Sequence, residues 1–139
     1  MVDRNSESHL PEALERLVRG DLGALSAILA VDHAAIREAA ATLGEPLIVT
    51  RRAAVLVLRG LIDGAFSPQL TQAWASFVRR GYVARSGNGP IRPIEIDFAQ
   101  ADEDGISATV SRLDEIGDAI DGGWSSDEVL VLLQLLGEP

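Results

Sequence analysis

Cysteine and lysine are absent from this 139-residue chain, and histidine occurs only twice. Without thiols, disulfides, thiolate nucleophiles and cysteine-ligated zinc or iron–sulfur centres are excluded, and a reducing compartment is allowed. His9 and His33 have no second ligand at a spacing that binds metal, and His9 falls close to a polar start. No Gly-rich phosphate loop, nucleophile elbow or His-Glu-x-x-His pair is present, so the expectation is a non-enzymatic protein without cofactor or metal. No apolar run approaches the roughly 18–20 residues of a membrane span. Met1 to Ser8 lacks the apolar core of a signal peptide, which makes the expected location cytoplasmic. All twelve basic residues are Arg. Together with abundant alanine, this reads as the codon bias of a GC-rich bacterial genome more than as a functional choice, although Arg also makes the better bidentate contacts.

What is present is an uneven distribution of charge. Residues 93–139 hold twelve Asp/Glu and a single Arg, Arg112, whereas residues 1–92 hold eleven Arg and nine Asp/Glu. The net charge of −9 therefore resides in the C-terminal third. Such a surface suits a basic protein partner, metal ions or solubility alone.

The length fits one domain with its own core, expected over residues 9–139 behind a flexible tail at 1–8. Pro11 with Leu10, Leu14, Leu17 and Val18 predicts a first helix closed by Gly20, and Asp21 is placed to cap a second with Leu22, Leu25, Ile28 and Leu29. A third runs from about Asp32 to Leu43, ending at Gly44 with Pro46 beyond. Thr50 to Ile62 is apolar almost all round, which predicts a central helix stopped by Gly64. Ser67-Pro68 opens a further helix with Leu70, Trp74, Phe77 and Val78 on one face and Gly81 past its end. Turn residues Ser86 to Pro90 between Tyr82–Arg85 and the alternating Ile94, Ile96 and Phe98 predict a short hairpin or ordered loop near residues 82–98. Pro90 and Pro93 keep any strand there short and at an edge. An amphipathic helix follows from Asp102 to Asp121, with Ile106, Val110, Leu113, Ile116 and Ile120 near one stripe. Ser125 and Glu128 have capping-box spacing for a last helix whose apolar run, Val129 to Leu133 with Leu135 and Leu136, requires burial in the core or against another chain. The expected fold is a mainly α bundle of five to seven helices.

The candidate site is the acidic helix. Asp102, Glu103 and Asp104 belong in its first turn, where the helix dipole favours them. Asp114, Asp118 and Asp121 share a face with Glu115 beside them, near the end where negative charge is disfavoured at about 0.2–0.5 kcal/mol per like-charge pair. Arg59, Arg79, Arg80 or another Arg of the chain folds over this stripe, water and salt screen it, or an external cationic partner meets it. An EF-hand-like loop from Gln100 to Gly105 fails at its first position, Gln100, and its twelfth, Ser111. A hydrolase using Asp97, Asp102 or Asp114 is one catalytic alternative, and an enzyme or small-molecule-binding domain with its pocket near Trp74, Tyr82 and residues 86–93 is another. Arg79, Arg80, Arg85 and Arg92 beside a Gly-rich turn look like a helix running into a wing, but the net charge disfavours nucleic acid.

The segment Val57-Leu58-Arg59-Gly60-Leu61-Ile62-Asp63-Gly64-Ala65-Phe66-Ser67-Pro68, leading into Trp74, resembles the helix–turn–helix rhythm of small bacterial immunity proteins of the colicin D type. The likeness spans about thirty residues and rests on an apolar helix, a Gly turn and a capped helix. It implies a compact acidic helical inhibitor that covers the basic cleft of a nuclease toxin, and it assigns no individual residues. The combined expectation is an immunity-like interaction module presenting Asp114, Glu115, Asp118 and Asp121 to a basic protein. A homodimer packed through residues 126–136 is the other non-enzymatic expectation.

Overall fold

Helix boundaries in this chain are set by capping chemistry that is visible in the side chains. A computed structural model describes residues 10–43, 46–81, 94–115 and 125–137. Helix α1 (Leu10–Val18) turns its five buried residues, Leu10, Ala13, Leu14, Leu17 and Val18, inward. It ends in a Schellman turn, in which the Asp21 amide donates to Arg16 O and the Gly20 amide to Leu17 O, both at 3.1 Å, with Gly20 at φ 95°. Asp21 then caps a 3₁₀ turn (Leu22–Ala24), accepting from the Gly23 amide at 3.1 Å, and α2 (Leu25–Leu29) continues from it. Asp32 accepts from the Ala35 amide at 3.0 Å and starts α3 (His33–Leu43).

Thr50 and Ser67 are the N-caps of α4 (Arg51–Asp63) and α5 (Pro68–Arg80), accepting from the Ala53 and Leu70 amides. Pro68 occupies the first turn of α5, where its missing N–H has no intrahelical partner to lose. Gly81, at φ 78°, closes α5 with its amide on Phe77 O at 2.7 Å. Helix α6 (Glu103–Glu115) follows a 3₁₀ turn (Gln100–Asp102), and α7 (Ser126–Leu135) is capped by Ser125, whose hydroxyl accepts from the Glu128 amide. The mainly helical expectation holds, with seven α-helices among the described residues.

The β structure differs from a simple hairpin. Strand β2 (Ile96–Phe98) lies where the alternation places it, but it pairs with β1 (Leu47–Val49) in parallel, Leu47 opposite Ile96 and Val49 opposite Phe98. Helices α4 and α5 form part of the crossover that a parallel pair requires. The turn expected at residues 86–90 and the run at 82–85 before it lie outside the described residues, as do the tail at 1–8 and His9.

The core gathers Leu14, Leu17, Leu58, Trp74, Phe77, Ile106 and Leu113, all nearly inaccessible. Helices α5 and α6 share the most extensive contact, α1 packs on α3 and β1, and α7 rests on α4 and α6. Helix α4 buries Ala53, Ala54, Val55, Val57, Leu58 and Leu61 but leaves Leu56 partly in solvent. Among the described residues no helix is long and apolar enough to cross a membrane.

Candidate functional site

The acidic stripe divides into an inward carboxylate and outward ones. Asp114 stands near the end of α6, where the α5–α6 contact brings it under the last turn of α5. Arg79 Nη1 donates to its Oδ2 at 2.8 Å and Arg80 Nη1 to its Oδ1 at 3.1 Å. The Asp114 side chain is only 8% exposed, and Gln72 Nε2 donates to its backbone carbonyl at 2.9 Å. Two guanidiniums at the carboxyl end of α5 also suit that end of its dipole. The cluster therefore fastens α5 to α6, with the Asp114 carboxylate held between two guanidiniums. Replacing Asp114 with Asn preserves the shape but removes the charge from both bonds. We expect a loss of about 1–3 kcal/mol in urea unfolding, smaller at high salt because the Arg side chains are partly exposed.

Glu115 is exposed and pairs loosely with Arg112, at 3.6 Å. Arg112 makes a closer, two-pronged contact with Glu128, Nε to Oε2 at 2.6 Å and Nη2 to Oε1 at 3.0 Å, which ties α6 to α7. The sole Arg of the acidic third is thus engaged internally, and the Glu128 carboxylate that the capping-box spacing singled out serves this pair. Asp118 and Asp121 lie outside the described residues.

Four further carboxylates lie at the starts of α6 and α7. Asp102, Glu103 and Asp104 sit in the 3₁₀ turn and first turn of α6, as helix initiation predicts, and Asp127 sits in the first turn of α7. Glu103, Asp104 and Asp127 are exposed and Asp102 is half-buried. Among the described residues none of these four makes an ion pair. Nor do three His, Asp or Glu side chains among the described residues converge as a metal-binding group.

Beside these acids lies a feature that the apolar run of α7 only partly announced. Val129, Leu132, Leu133 and Leu136 are buried, while Leu130, Val131 and Leu135 remain 47%, 54% and 59% exposed. At one end Leu135 and Leu136 share a shallow groove with Gln100 to Gly105. The two helices approach closely there. A Cβ on Gly105 would come within 3.2 Å of Leu135 O.

Trp74 does not line a surface pocket: it is fully buried, and its Nε1 donates to Leu17 O at 2.8 Å. Its spacing with Leu70, Phe77 and Val78 was a core signal, and Tyr82 lies outside the described residues. Of the arginines considered for phosphate contacts, Arg79 and Arg80 hold Asp114, and Arg85 and Arg92 lie outside the described residues. Asp97 is an exposed residue of β2, on a different element from Asp102 and Asp114. Comparison of the chain with protein-family models, curated proteins and solved structures finds no match.

Proposed function

We propose that this chain is a non-enzymatic protein-interaction module whose acidic C-terminal third recognises a basic partner protein, in the manner the immunity-protein resemblance implies. The observation that carries this reading is the division of carboxylates. Internal arginines engage Asp114, Glu115 and Glu128, while Asp102, Glu103, Asp104 and Asp127 make no ion pair among the described residues. Glu115, Asp118 and Asp121 remain part of the proposed acidic surface, whereas Asp114 serves the fold. Charge of one sign on a stable helical surface speeds encounter with an oppositely charged protein and selects among partners.

The test is capture by the tagged full chain at low and high salt, with retained proteins identified by mass spectrometry. A basic protein held at low salt and released at high salt is the expected result. Exchanging Asp102, Glu103, Asp104 and Asp127 for their amides should weaken capture without unfolding the chain. Empty capture at both salts, or capture indifferent to those exchanges and to salt, overturns the reading.

A further inference from the structure

Helix α7 carries two apolar stripes where folding uses one. Its periodicity puts Val129, Leu132, Leu133 and Leu136 on the side buried against α4 and α6, and Leu130, Val131 and Leu135 on the opposite side with Asp127 and Gln134. Leu130, Val131 and Leu135 are thus large apolar side chains left about half in solvent on this side, interleaved with Asp127 and Gln134. The ends of this face are acidic. Asp127 stands at its start, and Leu135 at its finish borders Asp102, Glu103 and Asp104 in a common groove.

We infer that this face docks a cationic amphipathic helix of the partner protein. Apolar side chains of that helix cover Leu130, Val131 and Leu135, and its Lys or Arg residues lie beside Asp127 at one end and Asp102 to Asp104 at the other. The inference rests on the acidic-recognition reading above and adds to it the docking face and the form of the ligand.

Charge chooses this occupant over a second copy of the chain. Two α7 faces packed antiparallel would set Asp127 of each against the Asp102–Asp104 cluster of the other. Packed parallel, they would set each acidic end against its own kind. Like charges brought together in an interface oppose it, whereas a basic helix is attracted at both ends. The eight-residue interval from Asp127 to Leu135 rises about 12 Å, so the basic positions of the docked helix are about two turns apart. Val131 and Leu135, four residues apart, form a ridge against which a second helix packs, with Leu130 flanking it.

A dye-labelled peptide of about eighteen residues, five turns long, provides the probe, with leucines at helical i, i+3, i+4 and i+7 spacing and lysines elsewhere. A scrambled peptide of the same composition has no apolar face. Titrated against the full chain, the ordered peptide is expected to bind at least about tenfold more tightly than the scrambled one, and more weakly at high salt. The L130Q/L135Q double variant should lose about tenfold in affinity with an unchanged melting curve, because both side chains are already half in solvent. Undiminished binding of the ordered peptide to that variant overturns the docking face. If both peptides then still bind in a salt-sensitive way, the acidic reading survives without it. Failure of both peptides to bind the unmodified chain at low salt overturns the two together. Sedimentation of the free chain is expected to show a monomer, and a dimer dissolved by L130Q/L135Q overturns the inference by making a second copy the occupant.

Discussion

Trp74→Ala is expected to destabilise the fold by about 3–5 kcal/mol, a large part of the roughly 5–15 kcal/mol that holds a domain of this size together. The side chain is wholly inaccessible and is the largest in the core. Its indole N–H ends on Leu17 O, the same carbonyl that accepts the Gly20 amide in the terminal turn of α1. A carbonyl has two lone pairs, so Leu17 O satisfies both donors at once. Truncation therefore leaves a cavity between α1 and α5 and loosens the end of α1, while Leu17 O keeps its bond from Gly20. Trp74→Phe retains most of the volume and loses only the indole bond, so it should cost clearly less, about 1–3 kcal/mol. Urea unfolding followed by circular dichroism separates the two without depending on indole fluorescence. Equal, small losses in both variants would show that Trp74 is not a core anchor.

The difference between Trp74 as core and Trp74 as pocket shows where sequence reasoning stops. Its spacing with Leu70, Phe77 and Val78 placed it on the buried face of a helix, and Ser67-Pro68 and Gly81 marked the ends of that helix, because caps and periodicity are local properties. Strand β1 is only three residues long, between Pro46 and the Thr50 cap, too short for a period of two to register. Its partner β2 lies beyond two helices, so the pairing depends on how those helices pack, not on any nearby turn.

The acidic helix shows the same limit from another side. A common face for Asp114, Asp118 and Asp121 is what helical spacing predicts from sequence, and the last two lie outside the described residues. That Asp114 meets Arg79 and Arg80 follows only from the α5–α6 contact, which brings together residues more than thirty positions apart. In α7 the fold buries Val129, Leu132, Leu133 and Leu136 but not the rest of the apolar run, and residue type cannot distinguish Leu132, which is buried, from Leu135, which is not. Only the positions of α4 and α6 decide which stripe is covered.

Gly20→Ala should cost about 2–4 kcal/mol, for two separable reasons. At φ 95° the residue occupies backbone space that an L side chain enters with strain, and an added Cβ would lie 2.9 Å from Ala53 O and 3.3 Å from Ala53 Cα. Those neighbours are backbone atoms of α4, held by the Thr50 cap a turn away, so they cannot rotate aside as a side chain would. Gly64→Ala isolates the first cause. Its φ of 79° imposes similar strain, but nothing lies within 4 Å of its Cβ position, and the expected loss is about 1 kcal/mol. The difference between the two variants measures the close approach of α1 to α4. Ala53→Gly should not rescue Gly20→Ala, because the obstruction is the carbonyl and Cα, which that change retains. Rescue, or equal losses at Gly20 and Gly64, would mean that the helices can move apart. The Trp74 and Gly20 substitutions act on opposite sides of the same turn and share Leu17 O, so their combined cost should fall short of the sum. That shortfall would identify the end of α1, clasped between Ala53 of α4 and Trp74 of α5, as one cooperative junction on which the helical scaffold depends.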